Sequence, residues 1–165
     1  MAESKPTGRE GLMGVPPEFA LERIYVKDLS FESPRAPEVF RGPWQPQIQL
    51  DINTRTTPLG DERFEVVLTL TAHAKSTEGQ SLMIVEVQQG GVFRIRGMGE
   101  ERLRRLLATH CPSILFPYVR ESVDTLAVKG GFPPLMLAPV NFDAMFDEAL
   151  KRQAGSPAGA PPVQH

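Results

Sequence analysis

Three carboxylates, by residue type and spacing, are the side chains in this sequence best suited to chemistry. Asp28 and Glu32 lie in one stretch of alternating apolar and polar residues, and Glu86 lies in a second such stretch. If both stretches are strands of one sheet, their even positions share a face, which places the three acids near Ile84. An acid pair of the glycosidase kind requires a buried carboxylate in a cleft, which this pattern does not indicate. The acids indicate an acidic docking patch or, alternatively, a solvated sheet face.

A second candidate surface is apolar. Two proline-rich segments, residues 34–46 and 132–140, carry large apolar side chains that are uncommon in loops. The side chains concerned are Phe40, Trp44, Phe132, Leu135, Met136 and Leu137. They either close the hydrophobic core or line a groove for an extended apolar polypeptide, with aromatic walls and an adaptable methionine. The sequence alone leaves both interpretations open.

The remaining reactive residues do not form a recognisable site. The segment 97–99 resembles part of a dinucleotide-binding loop, but Arg102 stands where its third glycine is needed. His73 and His110 lack the spacing of metal ligands, and Cys111 has no partner cysteine and no positioned base. We therefore expect no metal, no cofactor and no enzymatic activity.

Length and composition predict the class of protein. A chain of 165 residues is long enough for one domain that buries roughly 70% of its unfolded surface without disulfides. A single cysteine fits a reducing compartment, and no stretch is typical of a signal peptide or a membrane span. These features predict a cytoplasmic protein. A formal net charge of -2 gives no reason to expect nucleic acid as a partner.

The positions of the candidate residues depend on four predicted strands. The stretches with the period of strands are residues 18–33, 47–53, 64–73 and 81–95. Short polar connections, with a turn at 57–62, favour an antiparallel meander because parallel crossovers need a dozen or more residues. Gly90 and Gly91 predict a bulge in the last strand. Ile24 and Val26 break the alternation in the first strand, which suggests a second contact surface there.

The carboxyl-terminal part of the chain follows the period of helices. One amphipathic helix is predicted up to Pro112, and a second is predicted from near Pro112 to Lys129. Pro117 would then lie in a first turn, where a missing amide costs little. A third helix is predicted over 142–153, with Asn141 as its cap.

This pattern also predicts the domain organisation. Residues 1–17 and 154–165 are expected to be disordered tails, which leaves a single domain over residues 18–153. The proline-rich segment 34–46 is expected to lack regular structure.

Four segments resemble one known family in order and spacing. They are residues 23–32 (RIYVKDLSFE), 86–91 (EVQQGG), 111–118 (CPSILFPY) and 137–142 (LAPVNF). Over about residues 19–153 the chain resembles the bacterial protein-export chaperone family SecB. The resemblance implies an α+β fold with a four-stranded antiparallel sheet, helices packed on one face, and assembly as a dimer of dimers. It also implies an ATP-independent holdase that binds non-native precursors and delivers them to the motor SecA.

The resemblance assigns roles to individual residues. The SecA-binding residues would be Asp28, Glu32, Ile84 and Glu86. The client-binding groove would include Phe40 and Trp44, to which the loop composition adds Phe132, Leu135 and Leu137. Tetramer assembly would involve Val85, Val87 and Gln89.

The predicted partners follow from the same resemblance. They are unfolded precursor polypeptides, SecA and three further copies of the chain, with no nucleic acid and no direct membrane insertion. A SecB-like chaperone dedicated to a toxin-antitoxin pair would share the fold and is the alternative function.

Overall fold

The computed structural model describes residues 14–155. Four strands and a short 3-10 helix precede three α-helices. In chain order they are β1 (Glu18–Glu32), the 3-10 helix (Glu38–Arg41), β2 (Gln47–Gly60), β3 (Arg63–Lys75), β4 (Ser81–Arg96), α1 (Glu100–Ala108), α2 (His110–Lys129) and α3 (Phe142–Gly155). The strands form one antiparallel sheet in the order β1-β4-β3-β2. This confirms the predicted α+β fold with a four-stranded antiparallel sheet. The predicted meander is wrong for the first strand, because β1 pairs with β4 and not with β2.

The core lies between one face of the sheet and α2. Alternate residues of the two central strands are fully buried, and α2 covers them with side chains one helical turn apart. The core residues on these elements include Val66, Leu68, Leu70, Met83, Val85, Val87, Leu115, Val119 and Val123. Burial of each such side chain contributes roughly 1.5–3 kcal/mol. The helices therefore cover one face of the sheet, called here the inner face, and leave the outer face open.

Strand β1 contains two one-residue bulges, at Glu22 and Lys27, where its pairing with β4 shifts. Each bulge reverses which alternate positions face the helices. Ile24 therefore packs against the core, and Val26 lies on the same side of the strand. The bulges explain the break in alternation at these two positions. Val26 is nevertheless 52% exposed, and a second contact surface there remains a prediction.

The two glycines of β4 leave room for neighbouring aromatic rings and do not form a bulge. β4 runs without interruption through Gly90 and Gly91, so the predicted bulge there is wrong. A Cβ atom on Gly90 would lie 2.6 Å from Cζ of Tyr25, and one on Gly91 would lie 2.8 Å from Cε2 of Phe93. Both positions need glycine because large rings occupy the space where a side chain would begin.

The β2–β3 connection is shorter than predicted. β2 continues through Pro58 to Gly60, and only Asp61 and Glu62 form the turn, both with positive φ (52° and 61°). Proline is tolerated at position 58 because β2 is an edge strand, where one amide need not pair.

The proline-rich segment and α2 also depart from prediction. Residues 34–46 contain the 3-10 helix, because the amides of Val39 and Phe40 still find carbonyl partners between the prolines. α2 begins at His110, so Pro117 lies inside the helix and not in its first turn. The carbonyl that would accept its amide hydrogen bond therefore lacks that intrahelical partner.

The predicted helix cap is confirmed at the start of α3. The backbone N–H of Ala144 donates to Oδ1 of Asn141 at 3.0 Å. The helix extends to Gly155, two residues beyond the predicted end. The predicted disordered tails fall almost entirely outside the described residues, and the proposed 18–153 boundaries remain a prediction.

Candidate functional site

The four predicted SecA-binding residues lie together on the outer face of the sheet. Glu32 pairs with Ile84 across the β1–β4 ladder, and the next outward residue of β4 is Glu86. Asp28 lies across from Gln88, one further step along the same face. Outward positions repeat about every 7 Å along a strand, so these side chains form one compact surface. We call Asp28, Glu32, Ile84 and Glu86 the acidic patch.

The carboxylate at the centre of the acidic patch is held by neutral donors. Thr71 Oγ1 donates to Oε2 of Glu86 at 3.2 Å, and Gln88 Nε2 donates to Oε1 at 3.4 Å. Within residues 14–155, none of the acids of the patch forms an ion pair. Their negative charge is therefore available to a partner.

The carboxylates at the opposite end of the sheet are used internally. Glu22 accepts a hydrogen bond from Nε of Arg63 at 2.7 Å, which holds the pKa of this carboxyl below its ordinary value. Glu65 accepts from Lys27 at 2.7 Å and from Tyr25, and these contacts, in that order, lower its pKa. Acids that stabilise the fold are paired with cations, in contrast to the acids of the patch.

Strand pairing adds one acid that the sequence analysis missed. Thr71 pairs with Glu86 on one side and with Asp51 of β2 on the other. Asp51 and Glu86 thus lie in one row across the sheet, about 10 Å apart. Asp51 alternates with the apolar residues Leu50 and Ile52 in β2, but only the pairing of three strands shows that its face continues the acidic patch.

The aromatic residues predicted to line a groove meet around Phe132. Its ring centroid lies 5.0 Å from that of Trp44, 5.3 Å from that of Phe40 and 6.4 Å from that of Phe31. We call these four residues the aromatic cluster. The sequence analysis missed Phe31 as a member, because only the sheet register brings the end of β1 to the end of α2.

Two glycines after α2 allow the aromatic cluster to form. A Cβ atom on Gly131 would lie 3.1 Å from Cε1 of Phe40, and one on Gly130 would lie 2.8 Å from Cε1 of Phe31. Gly131 also has a φ of 86°, a conformation that side chains disfavour. The glycines that end α2 thus also serve as a flat support for two rings.

The predicted groove residues differ in what they present to solvent. A small cavity of about 170 Å³ lies between Phe40, Trp44 and Phe132. Phe40 is 50% exposed, whereas Phe132 and Leu137 are buried. Leu135 is half-buried and packs against the core. Phe40 and Trp44 therefore form the wall of this cavity and Phe132 forms its floor, whereas Leu137 belongs to the hydrophobic core.

The residues linked to tetramer assembly lie inside the chain. Val85 and Val87 are completely buried between the sheet and the helices, and Gln89 is buried and donates from Nε2 to the carbonyl oxygen of Tyr25 at 2.8 Å. None of the three presents a surface to another subunit. Their role in assembly remains a prediction, and it would act through the packing of the sheet on α2.

Reactive groups elsewhere do not add a chemical site. Within residues 14–155, no cluster of three or more His, Cys, Asp or Glu side chains could hold a metal ion. Burial raises the pKa of the Cys111 thiol to about 12, which leaves it protonated and unreactive. No described helix is long and apolar enough to span a membrane.

The fold and these two surfaces define a binding protein of the α+β class, and comparison with known proteins gives its family. The family model described as preprotein translocase subunit SecB matches residues 14–153. The protein-export protein SecB of Hahella chejuensis is 54% identical over 86% of this chain and 89% of its own length. That of Marinobacter nauticus is 55% identical over 87% of this chain and 86% of its own. The chain belongs to the SecB family of protein-export chaperones.

A solved structure supports the fold. A SecB-like chaperone of Mycobacterium tuberculosis, in complex with a peptide from an antitoxin, matches with a TM-score of 0.63. The match covers 74% of this chain and 91% of that chain at 20% sequence identity. At this identity the similarity shows a shared fold.

Proposed function

We propose that the protein is an ATP-independent holdase. In the cytoplasm it binds non-native precursor proteins through its domain of residues 18–153, keeps them translocation-competent and delivers them to the SecA motor. Membership of the SecB family and the relatives named as protein-export proteins support this proposal. The observation that carries it is the aromatic cluster, in which Phe40 stays half exposed beside a cavity over a buried floor.

The aromatic cluster suits a client that has no fixed sequence. Rings supply a large apolar area with few rotatable bonds, so they bind exposed apolar side chains at a small entropic cost. Native proteins rarely expose contiguous apolar segments, whereas unfolded chains do. A protein that binds only the unfolded form lowers its free concentration, which delays both folding and aggregation.

Assembly of four subunits would give high affinity for a long client even if each binding site is weak. A long client that crosses the clusters of four subunits binds its second and later sites intramolecularly, at a high effective concentration. Each contact can remain weak and release quickly, which suits the transfer of a client to a motor. We therefore include a homotetramer, a dimer of dimers, in the proposal.

The acidic patch supports delivery. Its carboxylates form no ion pair within the described chain, and Ile84 adds an apolar centre among them. A basic surface on SecA would complement this patch and would bind more weakly at high salt. Because the patch lies on the outer face, SecA can dock without displacing a client from the aromatic cluster.

Size-exclusion chromatography with light scattering tests the proposal. The protein is run alone and with one model protein presented in unfolded and in native form, without nucleotide. We expect four chain masses for the free protein and co-elution with the unfolded form only. A protein that ignores unfolded chain would overturn the holdase proposal, and a chaperone dedicated to one partner would then be the better interpretation.

A matched pair of variants connects binding to the aromatic cluster. Phe40 and Leu59 are exposed to a similar degree, at 50% and 52%, but Leu59 lies at the far end of β2, roughly 40 Å along the strand from Gln47, where β2 begins. We expect Phe40→Ala to weaken co-elution and Leu59→Ala to leave it unchanged. Equal effects of the two substitutions would show that general surface hydrophobicity, and not this cluster, captures the client.

A further inference from the structure

In the connection between α2 and α3, two backbone amides of the segment 133–140 are hydrogen-bonded to one side chain of α2. Oδ1 of Asp124 accepts hydrogen bonds from the backbone N–H groups of Leu135, at 2.9 Å, and Met136, at 3.1 Å. This segment has no regular secondary structure of its own. A carboxylate that accepts two amides forms charge-assisted bonds, which are stronger than neutral ones.

Met136 adopts a conformation that needs this support. Its φ is 50°, in the left-handed region that residues with a side chain disfavour. Such conformations persist only where the surroundings fix them. Its neighbours Leu135 and Leu137 turn towards the core, whereas Met136 is 69% exposed. The bonds to Asp124 thus hold the backbone in a turn that directs a large apolar side chain into solvent.

The same segment forms a wall of two cavities. Pro133 borders the small cavity beside Phe40 and Trp44. Pro139 and Val140 border a larger cavity of about 470 Å³ on α2. That larger cavity is lined mainly by Phe116, Pro117, Phe142 and other apolar groups, with Asp124 among its polar residues. Along the chain, the two amides bonded to Asp124 therefore lie between Pro133 at the small cavity and Pro139 at the larger one. Met136 lies at most about 11 Å of extended chain from Pro133.

We propose that Asp124 is a positioning residue that fixes the wall shared by both cavities, and that Met136 is a client-binding side chain on this wall. The proposal rests on the proposed holdase function and deepens it. An extended apolar client would run from the aromatic cluster over Met136 towards the larger cavity. The fixed turn keeps Met136 available, so less ordering is needed when the client binds.

Three variants on α2 separate this role from general stability. Asp124→Ala removes the acceptor, and Asp124→Asn removes the charge but keeps an acceptor oxygen at the same place. Thr125→Ala is the matched control, because Thr125 is an exposed neighbour of Asp124 that borders neither cavity and donates its hydrogen bond within the same helix, to Glu121. Each variant is measured by amide hydrogen exchange, by thermal unfolding and by binding of one unfolded model protein.

We expect Asp124→Ala to accelerate exchange at Leu135 and Met136 by about tenfold, and to weaken client binding at least about threefold. Asp124→Asn should recover most of both losses, and Thr125→Ala should cause neither. Faster exchange in Asp124→Ala with unchanged client binding would overturn the positioning role. If the parent protein binds the client but exchange at both amides is unaffected by Asp124→Ala, the attachment itself is refuted. A parent that binds no client would instead refute the proposed function on which this inference rests.

Met136→Asn tests the client contact separately. Asparagine tolerates the left-handed conformation better than most residues but lacks the apolar side chain. We expect client binding to weaken about two- to fivefold with no fall in the thermal midpoint. Unchanged client binding by this variant would exclude Met136 from the client-binding surface.

Discussion

The substitution Gly90→Ala tests how β1 is attached across the sheet. Tyr25 of β1 lies over Gly90 of β4, and its hydroxyl donates a hydrogen bond to Glu65 of β3. A Cβ atom at position 90 would lie 2.6 Å from Cζ and 2.9 Å from the hydroxyl oxygen of Tyr25. No real side chain tolerates such distances, so the tyrosine must move. Displacement would break one of the two side-chain hydrogen bonds from β1 that Glu65 of β3 accepts across β4.

The expected cost follows from two contributions. Loss of a hydrogen bond to a charged group costs roughly 1.5–3 kcal/mol, and overpacking typically adds about 1–3 kcal/mol. Because Tyr25 is only partly buried and water can replace part of the bond, we expect Gly90→Ala to lower the free energy of unfolding by about 2–4 kcal/mol in total. For a chain of this size that corresponds to a fall in the thermal midpoint of roughly 5–15 °C.

Urea unfolding at a fixed protein concentration measures this free energy, since assembly makes stability depend on concentration. Gly42→Ala is the control, because nothing lies within 4 Å of a Cβ atom at that position. A double-mutant cycle with Tyr25→Ala isolates the contact. In the Tyr25→Ala background, Gly90→Ala should cost less than about 1 kcal/mol, because the clash no longer exists.

Two results would refute the reasoning. Gly90→Ala could be as stable as the parent, which would mean that Tyr25 does not occupy the space above β4. Alternatively, the free energies of the two single substitutions could add in the double variant, which would place the cost of Gly90→Ala in the strand backbone and not in its contact with Tyr25.

Three further predictions concern charge and reactivity. Glu86→Lys should weaken SecA docking at least about tenfold, because it removes an attraction and adds a repulsion, while client binding survives in parallel binding assays. The pKa of Glu65 is lowered in the folded state, so its contribution to stability is present above its unfolded pKa and is lost as pH falls through the folded value. The urea midpoint of Glu65→Gln should therefore lie below that of the parent at pH 7 and approach it near pH 3; a pH-independent difference would contradict this assignment. Cys111, with its pKa raised to about 12 by burial, should react with iodoacetamide at pH 8 only as fast as the chain unfolds, and rapid alkylation of the native protein would show an accessible thiol.

Residue patterning predicts the strands and helices well here, because each buried face of the sheet follows period two and α2 follows the helical period. Met83, Val85 and Val87 alternate with outward residues as the sequence indicates. The boundaries of β2 and α2 were less predictable. Pro58 suggested a turn, and Pro112 suggested a helix boundary that would place Pro117 in a first turn. An edge strand tolerates one unpaired amide, however, and a well-packed helix tolerates one missing hydrogen bond.

Contacts between distant segments account for most of what the sequence did not show. The bulge at Glu22 shows in the sequence only as a break in alternation at Ile24, yet it decides that Tyr25 faces outward and Ile24 inward. The glycine at position 90 was interpreted as a bulge because the ring above it comes from 65 residues earlier in the chain. Asp51 and Phe31 were missed for the same reason, since strand pairing and not local pattern brings them to the two surfaces.

The end of β1 connects the two proposed binding surfaces most directly. Phe31 pairs with Val85 on the inner face and packs against Phe132, whereas Glu32 pairs with Ile84 on the outer face. Consecutive residues of a strand face opposite sides, so one peptide step carries a member of the aromatic cluster and an acid of the acidic patch. The proposed surfaces for a client and for SecA therefore do not overlap. Both side chains belong to one edge strand. If SecA twisted this end of β1 on docking, Phe31 would move with it, and the binding of the client to the aromatic cluster would weaken.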